Sequence, residues 1–201
     1  MTVVLAGVVF AVLTVLSFVL PRALGSKPAM ARNVPTGVAY GAGLPAGSSV
    51  PAFSETNLLT GRPITSASVY GTRTLLFFSE GVMCQSCLQQ IKDIGRLGGQ
   101  LEELGVQLVS ITPDSPSELE QAAQQYGITS PLISDSNLDM SEAFNTIGQG
   151  MHSTTPGHAF VLIFRGKVLW YRDFWLPPTR TMYVQPHQLL SDVERSLVSS
   201  A

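Results

Sequence analysis

Apolar positions along this chain recur with two different periods, and the alternation between them lays out a mixed α/β domain. Thr74-Leu75-Leu76-Phe77-Phe78 is a short continuous apolar run, as expected of a central strand covered on both faces. Cys87, Leu88, Ile91, Ile94, Leu97, Leu101 and Leu104 then recur at helical spacing, predicting one stripe of about five turns, with Gly98-Gly99 inside it as a point expected to kink or fray. Val106 to Ile111 is the next strand. Ser115-Pro116-Ser117-Glu118 is a capping box, with Ser as N-cap, Pro at the first helical position and Glu three residues after the cap. The helix it opens is expected to stop at Gly127.

The second half continues the pattern. Pro131 to Asp135 reads as a short strand end and Leu138 to Phe144 as a short helix. Ala159–Phe164 and Lys167–Tyr171 are strands joined by the turn Arg165-Gly166. A last helix over Pro186–Leu197 buries Leu189, Leu190, Val193 and Leu197. The resulting β-α-β-α-β-β-α order predicts a mixed central sheet flanked by helices.

The first fifty residues follow neither period. Val3 to Leu20 is apolar apart from Gly7, Thr14 and Ser17 and carries no charge. A helix over this stretch would be about 27 Å long, near the lower limit for crossing a bilayer. Residues 1–22 are expected to be an N-terminal hydrophobic helix, acting as a membrane anchor or an uncleaved signal segment. A cleaved signal peptide is the other reading, with Ala29-Met30-Ala31 as a small-residue site. Arg22, Lys27 and Arg32 all follow the segment, which by the positive-inside rule keeps the domain on the cytoplasmic side. Residues 23–49, rich in Gly, Ala, Pro and Ser, read as a flexible linker, and 50–201 as the folded domain.

Composition narrows the chemistry. The formal net charge is -2 with 13% charged residues, which provides no basic footprint for nucleic acid. The only two cysteines are three positions apart, in Cys84-Gln85-Ser86-Cys87. They lie between the Thr74–Phe78 strand and the long helix, where free backbone N–H groups and the positive end of the helix dipole stabilise a thiolate. A thiol at such a place is acidic enough to attack at neutral pH. Cys84, nearer the free end, is expected to be the attacking sulfur, and Cys87, on the packed stripe, the resolving one. Glu80, four residues before Cys84, is a candidate for proton transfer, or else a solvated loop carboxylate.

The strand before Cys84-x-x-Cys87, then Thr155-Pro156 ahead of a strand, then Gly166-Lys167 and a second strand, resemble the thioredoxin superfamily. Leu104 to Ile111, the capped helix, and Tyr126 to Asp135 are similar to its redoxin branch, which includes the AhpC/TSA peroxiredoxins and membrane-tethered TlpA- and ResA-like oxidoreductases. The resemblance runs from Val50 to Val198. It implies a thioredoxin-like fold, a redox-active Cys84–Cys87 disulfide, and a cis proline at Pro156 packed against the cysteines. It also implies that Thr155 and Pro156 position the substrate.

Two departures bear on activity. Peroxiredoxins carry a Pro-x-x-x-Thr/Ser-x-x-Cys loop, whereas Ser79-Glu80-Gly81-Val82-Met83 precedes Cys84 here. They also place an arginine before the penultimate strand, whereas this chain has Thr155-Pro156-Gly157-His158. These losses point to a membrane-associated thiol-disulfide oxidoreductase that needs no cofactor and acts on protein or small-molecule disulfides and thiols. A second thioredoxin-like protein is the expected electron donor, and tethered relatives imply a domain on the extracytoplasmic side, against the charge rule. A peroxiredoxin-type thiol peroxidase is the alternative. A metal site is a further one: zinc on Cys84, Cys87, His152 and His158, or copper on the cysteines and His158, since redoxin-fold Sco proteins hold copper with a histidine in a similar place. Trp170, Tyr171, Phe174 and Trp175 form an aromatic cluster expected to pack in the core or as a lid over the C-terminal helix, with a partner- or membrane-contacting surface as the other reading, and Met140, Met151 and Met182 are read as core filler.

Overall fold

A computed structural model describes residues 43–199. The anchor expected over residues 1–22, and the linker as far as residue 42, lie outside the described residues. Among the described residues no helix is long and apolar enough to cross a membrane.

The chain forms β1 (Ser54–Thr56), β2 (Pro63–Thr65), β3 (Arg73–Phe78), α1 (Gln85–Gly95), α2 (Gly98–Glu103), β4 (Val106–Thr112), α3 (Pro116–Tyr126), β5 (Leu132–Ser134), α4 (Asp139–Ala143), β6 (Ala159–Phe164), β7 (Lys167–Asp173) and α5 (Pro186–Ser199). The central sheet has the order β5-β4-β3-β6-β7, with β3, β4 and β5 parallel and β6 and β7 antiparallel. β1 and β2 pair separately, a small hairpin the apolar pattern did not announce because only three residues on each side take part.

Strand β3 sits in the middle of the sheet, and its run of apolar residues serves both faces. Leu75 and Phe77 point into a core shared with Leu88, Ile91 and Ile94 of α1, Leu119 of α3 and Leu189 and Val193 of α5. Leu76 and Phe78 point the other way, against Val109, Ile133, Val161, Met140 and Phe144. The long helix expected after the cysteines is instead two: α1 ends at Gly95 and α2 begins at Gly98. Glycines at 95, 98 and 99 weaken helix propagation there, and Gly95 lets Ser130 approach, its Oγ falling 3.1 Å from where a β-carbon would stand. Both pieces still bury the expected stripe, through Ile94 and Leu101.

At the N-terminal edge of the described residues, Gly47 N–H bonds the Val168 carbonyl at 2.8 Å and Val50 N–H bonds that of Gly166 at 2.9 Å. The packed chain therefore begins before Val50. The capping box is formed as expected, Ser115 Oγ accepting from Glu118 N–H and Glu118 Oε2 accepting from Ser115 N–H, with Gly127 ending α3 at φ 66°. Ser115→Ala should cost about 1 kcal/mol of stability, read as a lower urea midpoint with unchanged slope.

Candidate functional site at the start of helix α1

The site is built where the central strand stops. β3 delivers the chain to Ser79 and Glu80, and a single 3-10 turn, Gly81–Met83, reverses it into α1. Gly81 holds φ 82°, a left-handed conformation suited to glycine, and a β-carbon there would collide with the Asp114 carboxylate. That carboxylate takes the Val82 N–H at 3.0 and 3.1 Å. Burial pushes the Asp114 carboxyl up, while the Val82 hydrogen bond pulls it the other way. Asp114, at the end of β4, thus ties the cysteine turn to the sheet.

Cys84 is the N-cap of α1, and its Sγ accepts the Cys87 N–H at 3.2 Å. The two cysteines form a disulfide with their Cα atoms 5.2 Å apart. Cys84 is 5% exposed and Cys87 is fully enclosed. Met182 and Trp175, from the stretch between β7 and α5, pack onto the pair. When the disulfide opens, the sulfur at the N-cap meets a backbone donor and the helix terminus, both of which favour its thiolate.

The other candidates fall in different places. Glu80 is buried and turned to His152, accepting from its backbone N–H at 3.1 Å and facing its Nδ1 at 3.2 Å. His158 is wholly buried, its Nδ1 3.8 Å from Cys87 Sγ and its Nε2 3.4 Å from Gln90 Oε1. Burial pushes its pKa down to about 3, so the ring is neutral. Thr155 and Pro156 are already engaged within the chain. The Thr155 carbonyl accepts from Gly148 N–H at 2.9 Å, Gly157 N–H reaches Thr146, and Pro156 pairs with Ile147. The expected cis bond before Pro156 is absent: among the described residues the one cis peptide joins Pro177 to Pro178. The extended pairing of Thr155–Gly157 with Thr146–Gly148 is served by an ordinary trans bond. Among the described residues no cluster of three or more His, Cys, Asp or Glu side chains is placed to hold a metal.

Several contributors were not expected at this site from the sequence. Met182, expected as core filler, and Trp175, expected in an aromatic core cluster, cover the cysteines. Gln90 carried the one usable signal, being polar yet spaced three after Cys87 and four before Ile94 on the buried stripe. Asp173 ends β7 beside the site and accepts from Trp175 N–H at 2.8 Å. Burial pushes its carboxyl up to about 6, against the pull of N–H groups of Trp175, His158 and Leu176.

The model of the family described as AhpC/TSA matches residues 46–170. A Mycobacterium tuberculosis protein named as a peroxiredoxin is 27% identical over 103 residues, covering 51% of this chain and 65% of the relative. The chain thus matches just under two thirds of that relative's length. Among solved structures, Enterococcus faecalis AhpC superposes with a TM-score of 0.65 at 16% identity, covering 77% of this chain and 93% of that one. Peroxidoxin BcpB from Mycobacterium tuberculosis superposes with a TM-score of 0.61 at 19% identity, covering 75% and 96%.

The raised Asp173 carboxyl has a consequence for stability. A group with a higher pKa folded than unfolded stabilises fully below its unfolded value, near 3.8, and that contribution is lost as pH rises through about 6. In urea unfolding between pH 4 and pH 6 the wild type should therefore lose on the order of 2 kcal/mol relative to Asp173→Asn as pH rises.

Proposed function

The chain belongs to the AhpC/TSA family, and from that premise we propose that it is a thiol peroxidase turning over through the Cys84–Cys87 pair. The observation that carries this is the position of Cys84: N-cap of α1, hydrogen-bonded by a backbone N–H, and almost closed to solvent beneath Met182 and Trp175. A sulfur so enclosed suits a small oxidant better than a disulfide carried on a protein surface. The Mycobacterium tuberculosis relative named as a peroxiredoxin supports the same choice.

The chemistry is a two-electron cycle. The Cys84 thiolate attacks the peroxide, the O–O bond breaks, an alcohol or water leaves, and Cys84 becomes a sulfenic acid. Cys87, one helical turn on, displaces the hydroxyl and closes the disulfide with loss of water. An external dithiol, such as a thioredoxin-like protein, then reopens it. The apolar run Val3–Leu20 supports attachment of this domain to a membrane.

Thiol-disulfide exchange is the second reading, and one feature favours it. The positions that in peroxiredoxins carry a hydroxyl and an arginine for the peroxide hold Gly81 and the Thr155–His158 segment here. Stopped-flow mixing of reduced protein with hydrogen peroxide, followed by a turnover assay with a thioredoxin system, separates the two. Rapid peroxide consumption is expected, abolished in Cys84→Ser. Cys87→Ser should stop after about one equivalent, with a sulfenic acid at Cys84 trapped by dimedone and seen by mass spectrometry. Inert behaviour toward peroxide, together with brisk reduction of an insulin disulfide, would hand the function to the second reading.

A further inference from the structure

The resolving step poses a problem of proton balance that the geometry around Cys87 addresses. Cys87 must lose its proton to attack Cys84, yet it has no exposed surface. A buried thiol in apolar surroundings holds its proton more tightly than a free one. Glu80 is occupied with His152. The ring next to the Cys87 sulfur is that of His158, set edge-on to the stacked pair Phe77 and Phe160 with ring centroids 4.7 and 5.7 Å away.

The tautomer of that ring follows from its other neighbour. Gln90 is fully buried, and its Oε1 accepts the Val184 N–H at 2.5 Å. A backbone N–H can only donate, so the oxygen of the Gln90 amide must lie at this position. The same oxygen is 3.4 Å from His158 Nε2, which must therefore carry the hydrogen. In a neutral ring that leaves Nδ1 bare, its lone pair 3.8 Å from Cys87 Sγ. Val184, Gln90, His158 and Cys87 form one chain with its free acceptor at the resolving sulfur.

We propose that His158 is a catalytic base for Cys87, with Gln90 a positioning residue that holds its ring in the required tautomer. The proposal rests on the thiol cycle above but not on the identity of the oxidant. As Cys87 Sγ moves onto Cys84, its proton passes to His158 Nδ1. The sulfur–sulfur bond forms while the bond from Cys84 to its leaving group breaks. The imidazolium then gives the proton to that leaving group, as water from a sulfenic acid or a thiol from a mixed disulfide. No net charge is left behind. Apart from Cys87, the titratable group close to His158 is Asp173, on the backbone side at the end of β7; Phe77 and Phe160 are apolar and Gln90 is uncharged.

The test follows ring closure rather than turnover. Reduced full-length protein is mixed with hydrogen peroxide in one arm and with 5,5′-dithiobis(2-nitrobenzoate) in the other, from pH 5.5 to 8.5. Attack by Cys84 releases the first thionitrobenzoate and closure by Cys87 the second, so the second arm works even for a protein inert to peroxide. In the wild type, closure should vary little with pH. In His158→Asn the first phase should persist, while closure slows at least about thirtyfold at pH 7 and gains tenfold per pH unit. The variant must react through the few per cent of thiolate that a thiol of pKa ~8.5 holds at pH 7, whereas in the wild type the proton leaves as the sulfur–sulfur bond forms and no prior ionisation is needed. Closure in the variant at the wild-type rate and with the wild-type pH profile overturns the proposal. Independently of any variant, 15N NMR of the oxidised wild type should find His158 protonated at Nε2 and bare at Nδ1, and the opposite tautomer overturns it too.

Discussion

Everything in this site depends on one junction, the passage of the central strand into the N-terminus of α1. A parallel strand with helices on both sides must release its chain at one end of the sheet, and there the first turn of the next helix has unpaired N–H groups. Cys84 occupies the cap, so its sulfur replaces the oxygen that a serine or aspartate would offer. The cap is a structural need and a chemical opportunity together. A thiolate there is stabilised by the same donors that the helix must satisfy.

That junction is held from three directions. β3 is buried on both faces between β4 and β6, so its end cannot shift without disturbing two cores. Asp114 pins the turn from β4 through Val82, and the absence of a β-carbon at Gly81 makes room for its carboxylate. Met182 and Trp175 close the solvent side. Such a site is largely closed to solvent, which strengthens local electrostatics and makes unpaired charge costly. The carboxylates nearby show that cost, since burial pushes both Asp114 and Asp173 upward.

Much of this fold was legible in the sequence because the strongest signals are local. The two-faced run of β3, the capping box of α3 and the Arg165-Gly166 turn each depend on a few adjacent residues, and each element formed within a residue or two of expectation. The glycines between α1 and α2 marked a kink or fray point, but the apolar stripe continuing through it hid that the helix stops and restarts there. The candidate site was legible only in part. Cys84 and Cys87 announce themselves by spacing, whereas Gln90, Asp114, Met182 and Trp175 reach the site through tertiary packing. The expected cis proline came from likeness to a superfamily, and the pairing of Pro156 with Ile147 overrides it.

The burial of Cys87 also explains why a histidine rather than a carboxylate suits its side of the pair. An ionised carboxylate beside a developing thiolate would bring two negative charges together in a medium that screens them poorly. A neutral imidazole has the opposite effect. Before reaction it contributes no charge, consistent with a ring whose pKa is pushed down to about 3 by desolvation alone. During reaction it becomes the counter-charge of the thiolate it creates, so its basicity rises when it is needed. Gln90 completes this arrangement with an acceptor that carries no charge of its own. The buried site therefore meets only neutral states before and after closure, with charge separated over 3.8 Å in between.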